Sequence, residues 1–83
     1  MTVSHTPGEW ATRIRLRVRA VLAEREISAA EVARRCGWRQ QYLARRLTPT
    51  HPVPFSVADL EAIAAALGIS PTEITNDREA VAA

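Results

Sequence analysis

The sequence predicts an all-α fold, a compact bundle of about five helices, on three observations. Apolar residues recur at three- and four-residue steps through most of the chain, the spacing of one helix face. Four times a Ser or Thr is followed three residues later by an acid, a pairing that satisfies two free backbone donors where a helix begins: Thr6 with Glu9, Ser28 with Glu31, Ser56 with Asp59 and Ser70 with Glu73. Gly and Pro fall between the periodic segments, and none interrupts Glu9 to Cys36. No convincing strand remains.

The first helix is expected from about Pro7 to Arg25. Pro7 suits the first helical position, where its missing N–H is of no consequence, and Trp10, Ile14, Val18, Val21 and Leu22 share one face. Charged and apolar residues alternate from Arg13 to Arg19 as a strand would, but the helical spacing extends past that stretch and decides the reading. The second helix, Ser28 to about Cys36, buries Val32 and Ala33 and stops at Gly37, which can adopt the left-handed conformation that ends helices. A third runs from near Arg39 to Leu47 with Leu43 and Leu47 inward, Trp38 stapling onto Leu43 across the first turn. Pro49, Pro52 and Pro54 then forbid a helix, so residues 48–55 form an extended loop. The fourth helix, Val57 to Leu67, packs Leu60, Ile63, Ala64 and Leu67 and stops at Gly68. The fifth starts at Pro71, turns Ile74 inward and frays into an Ala-rich end.

Eighty-three residues supply one small core, so the chain reads as a flexible tail over 1–6 and a single domain over 7–83. Hydrophobic residues at 47% and charged residues at 24% are globular composition. Asp59 and Glu61 break the longest apolar stretch, which excludes a transmembrane span there. The N-terminus lacks the pattern of a secretory signal, and a small secreted domain would usually carry several cysteines where this chain has Cys36 alone. A cytoplasmic location is expected. One Cys, the distant His5 and His51, and scattered acids offer no nucleophile with base and orienter and no ligand cluster, so no enzyme activity, metal or cofactor is expected. Cys36 reads as a small core residue.

Charge is unevenly spread. All eleven basic side chains are Arg, and ten of them lie between Arg13 and Arg46 against three glutamates, which gives that segment +7. From residue 47 onward, one arginine faces five acids for −4, and Glu9 supplies the remaining −1. A +7 segment in so small a domain suits a polyanion such as nucleic acid, with a solvated Arg-rich surface as the alternative.

The chemistry concentrates in residues 28–47: short helix, tight turn, second helix. Helices joined so closely cross steeply, which needs a small side chain at the crossing and none at the turn; Ala33 and Gly37 meet both needs. The second of these helices then presents Arg39, Gln40, Gln41, Arg45 and Arg46 outward. Gln bonds bidentately to adenine and Arg to guanine in the major groove, while other arginines hold phosphates.

From Ile14 to Ile74 the sequence resembles the helix-turn-helix regulators of the Cro and phage-repressor type, also called the xenobiotic-response-element family, with a lambda-repressor-like fold. The carriers are Ile27-Ser28, Glu31-Val32-Ala33, Gly37, Gln40-Gln41-Tyr42-Leu43, the run Leu60 to Ile69, and Pro71. The resemblance implies a transcriptional regulator, a repressor of phage or bacterial type, that binds double-stranded DNA. It implies base contacts from Gln40, Gln41 and Arg45, with Arg39 reaching a base or a phosphate. Ser28, Arg34, Arg35, Arg46, Thr48 and His51 are the expected phosphate ligands; Tyr42 either joins them or covers the helix surface. Trp10 and Trp38 read as packing residues. A homodimer, weak or DNA-induced, is expected through Ile69, Ile74 and Val81, with the bound protein at the nucleoid.

The departures from the family pattern are informative. Ala29 stands where a phosphate-holding Gln is common, and Arg39 stands at a cap usually held by Ser or Thr. An ion pair that many phage members place between the first and third helices is matched here by Leu22 and Leu47, an apolar replacement that favours contact between them. The rival reading is a protein-interaction module or antitoxin-like adaptor on the same fold, which would have no need of Arg39, Gln40, Gln41 and Arg45 together.

Overall fold

A computed structural model of the chain describes residues 7–75. Its five helices are α1 (Pro7–Glu24), α2 (Ala29–Cys36), α3 (Gln40–Leu47), α4 (Val57–Leu67) and α5 (Pro71–Thr75), and no strand occurs among the described residues. The stretch from Arg13 to Arg19 lies inside α1. The expected tail over 1–6 with His5, the Thr6 cap, and the end from residue 76 with Val81 lie outside the described residues.

The start signals differ in how completely they form. At α4 the Ser56 hydroxyl accepts from the Asp59 amide at 3.0 Å and the Asp59 carboxylate accepts from the Ser56 amide at 2.9 Å, a full reciprocal cap. At α2 Ser28 accepts from the Glu31 amide at 3.1 Å, but Glu31 turns its carboxylate to arginines instead. At α5 Glu73 reaches back to the Ser70 amide at 3.3 Å, while the Ser70 hydroxyl accepts from the Thr72 amide at 3.3 Å.

Three helices stop by one device. Gly37 (φ 74°) and Gly68 (φ 72°) sit in the left-handed region, and the residues after them, Trp38 and Ile69, donate back to the carbonyls of Ala33 and Ala64. α1 ends in the same way at Glu26 (φ 54°), with Ile27 donating to the Leu22 carbonyl at 3.1 Å. An L-residue bears a steric cost there that glycine escapes.

Ile14, Val18 and Leu22 from α1, Val32 and Ala33 from α2, Leu43 and Leu47 from α3, Leu60, Ile63 and Ala64 from α4 and Ile74 from α5 form one buried core. Leu22 and Leu47 thus enter the same core. α2 packs on α3 and α4, α1 bridges α3 and α5, and α4 covers α5. Two expectations are corrected. Trp10, placed by periodicity on the inward face, is 55% exposed: it lies in the first turn of the 18-residue α1, at a groove it lines with Ile14, Leu16 and Ile74. Ile74, expected on a dimer surface, is 1% exposed and belongs to the chain's own core, where it serves as the apolar plug of α5.

Candidate nucleic-acid interface

α2 and α3 meet across a short turn. Ala33 is buried at the crossing, Gly37 bends the chain, and Leu43 and Leu47 fasten the inner side of α3. The outer side carries Gln40, Gln41, Ala44 and Arg45, all exposed, with Arg39 at the cap. Arg39 makes no side-chain capping bond, as a guanidinium only donates and cannot accept from the helix amides. Among the described residues, the side chains of Arg39, Gln40, Gln41 and Arg45 hold no hydrogen bond or ion pair. An open groove beside this surface is lined by Gly37, Trp38, Arg39, Gln41, Tyr42, Arg45, Arg46 and Val53.

The flank of α3 is occupied differently. The Tyr42 hydroxyl donates to Asp59 Oδ1 at 2.5 Å, and Arg46 donates Nε to Asp59 Oδ2 at 3.1 Å and Nη1 to the Tyr42 carbonyl at 2.8 Å. The Arg46 guanidinium carbon lies 3.7 Å from the centre of the Tyr42 ring, and the Trp38 ring centre is 4.7 Å from that of Tyr42, tilted by 41°. Burial pushes the Asp59 carboxyl upward, but hydrogen bonds from Tyr42, Ser56 and Arg46 outweigh it and hold the group below its ordinary value. The same bond to Asp59 raises the Tyr42 phenol.

The model for the family described as helix-turn-helix domain matches residues 13–76. The chain belongs to that helix-turn-helix family. Comparison with curated proteins gives no match, and comparison with solved structures gives none. Helix-turn-helix domains are a DNA-binding class, and the match is consistent with the Cro and repressor type. Among the described residues no helix is long and apolar enough to cross a membrane, and no group of three His, Cys, Asp or Glu could hold a metal.

Around the helix-turn-helix, the seven residues expected at phosphates do not share one surface chemistry. Ser28 is exposed and uses its oxygen as a cap acceptor, which leaves its hydroxyl proton free to donate. Arg34 and Arg35 are exposed but both bind Glu31, and Arg35 also donates to the Ala66 carbonyl at 3.2 Å. These bonds lower the Glu31 carboxyl. Thr48 accepts from the Thr50 amide at 3.2 Å, and His51 is exposed in the proline loop with φ 49°. Tyr42 and Arg46 line the groove but commit the Tyr42 hydroxyl and the Arg46 Nε to Asp59. Two arginines of α1 serve other helices: Arg17 donates to the Glu73 carbonyl at 3.1 Å and Arg19 to that of Leu47 at 3.1 Å.

Part of the +7 charge is therefore spent inside the fold. Asp59, which sequence reasoning assigned only to a cap, is the residue it missed; the available signal was the four-residue spacing of Tyr42 and Arg46, which puts both on one side of α3. Cys36 is half-buried and donates its thiol to the Ala62 carbonyl at 3.5 Å; burial first, then the Asp59 charge, raises its pKa.

Proposed function

We propose that the chain is a sequence-specific regulator of transcription, reading the major groove of double-stranded DNA with α3. One observation carries this: Arg39, Gln40, Gln41 and Arg45 share the outer side of a rigidly supported helix with their hydrogen-bonding capacity unspent among the described residues. Gln40 and Gln41 suit the N6 and N7 edge of adenine and Arg45 the O6 and N7 edge of guanine, with Arg39 at the groove's rim on a base or phosphate. Ser28, Arg34, Arg35, Thr48 and His51 flank the helix and register it on the backbone. Repression by occupancy follows from binding alone, since a domain lodged in the groove excludes other proteins from it. One reading helix covers few base pairs, so operator selectivity calls for two copies on half-sites about 34 Å apart.

The deciding experiment is selection of duplexes from a random pool, followed by fluorescence anisotropy on the best sequence and a scrambled one across salt concentrations. The expected result is a preference of about a thousandfold with log affinity falling steeply against log salt. Equal, salt-dependent binding to both duplexes would favour the adaptor reading. The exposed Trp10 and Leu16, beside a groove that Ile74 and Thr75 help to line, are the observation on that side.

A further inference from the structure

Asp59 is the buried charged residue among the described residues, 5% exposed, and its carboxylate is shared between two helices. It accepts from the Ser56 amide at 2.9 Å, which closes the start of α4, and from Tyr42 and Arg46 of α3. Trp38 packs against the Tyr42 ring in a tilted contact, and Arg46 is pinned twice more, over the Tyr42 ring and to the Tyr42 carbonyl.

The apolar core does not by itself fix how α3 is turned. Its two buried residues, Leu43 and Leu47, lie one turn apart on a single line, and apolar contact is non-directional, so their packing constrains a roll about that line less sharply than directional bonds on the flank do. Hydrogen bonds are directional, and those at Asp59 grip α3 on its flank, where a roll would break them. Base readout tolerates misplacement of about 0.5 Å at most, so the roll angle decides whether Gln41 and Arg45 meet base edges.

We propose that Asp59, Tyr42 and Arg46 are positioning residues, a carboxylate-centred clamp that sets the angle at which α3 meets DNA, and that Tyr42 and Arg46 act through this clamp and do not bind phosphate. The proposal rests on the reading of α3 as the DNA-reading helix. It also joins the start of α4 to the reading surface, since one carboxylate holds both.

The test compares the wild type with Tyr42→Phe, Arg46→Gln and Asp59→Asn on the selected and scrambled duplexes across salt, with far-UV circular dichroism confirming that each is folded. Tyr42→Phe keeps the ring and its stacking and deletes only the hydroxyl, so it remains informative if the other two unfold. The expected result is a loss of about tenfold or more in preference for the selected duplex, with scrambled-duplex affinity within about twofold of wild type. Arg46→Gln should leave the slope of log affinity against log salt unchanged. A slope smaller by about 0.9, the value for one phosphate contact, with preference retained, would show that Arg46 binds the backbone and overturn the clamp. Folded variants with undiminished preference would overturn it as well. A wild type with no preference for any duplex would remove the DNA reading itself, and the clamp with it.

Discussion

The guanidinium of Arg19, in α1, donates to the carbonyl oxygen of Leu47, the last residue of α3, at 3.1 Å and part-buried. A helix leaves its final carbonyls without intrahelical partners, and a cation there also meets the negative end of the helix dipole. Removing the bond by Arg19→Ala should cost about 1 kcal/mol, which lowers Tm by about 4–8 °C in a domain of this size. An unchanged melting curve would mean that water replaces Arg19 at no loss.

Glu26 offers the opposite change. Its left-handed φ of 54° is costly for a residue with a Cβ, by about 1–2 kcal/mol, while glycine adds unfolded-chain freedom worth about 0.4–1 kcal/mol. Glu26→Gly is therefore expected to stabilise the fold by about 0.5–1 kcal/mol, read as a higher urea midpoint with an unchanged slope. A lower midpoint would refute the strain.

Acid should weaken the domain through Asp59. Its folded pKa lies below the ordinary 3.8, so the folded state binds this proton less readily than the unfolded one. The contribution is full above that ordinary value and is lost as pH falls through the lower folded value. Stability measured by urea melts from pH 6 down to pH 2 should decline more steeply in the wild type than in Asp59→Asn; parallel declines would place the acid sensitivity elsewhere.

Arg45→Ala should change base preference at one position of the selected site, whereas Arg34→Ala and Arg35→Ala should weaken selected and scrambled duplexes alike. Because both arginines bind Glu31, Glu31→Gln should raise affinity for scrambled DNA by freeing them. Equal effects on both duplexes from all three alanine variants would remove the distinction between reader and backbone ligand.

Much of the fold was legible because its signals are local. α4 runs over Val57–Leu67 as expected, with the Ser56 cap before it and Gly68 after it. α2 and α3 each begin one residue later than expected, since Ser28 and Arg39 are caps. The end of α1 was less legible, as Glu26 takes a position where glycine would have announced the stop. The inward reading of Trp10 failed because periodicity gives a face and not the length of helix that neighbours cover. Least legible were the arginine partners: Arg46 with Asp59, Arg19 with Leu47 and Arg35 with Ala66 lie 13, 28 and 31 residues apart. Such pairs depend on how helices meet, which no local spacing encodes, and so ten clustered arginines read alike as free charge.

The side chains that fasten α3, namely Trp38, Tyr42, Leu43, Arg46 and Leu47, share no member with Gln40, Gln41, Ala44 and Arg45, which face outward. Support and vocabulary are thereby separated on one eight-residue helix. The four outward residues are exposed and absent from the buried core, so substitutions there are expected to leave the fold standing: the outer surface of α3 can change its chemistry without disturbing what holds the helix.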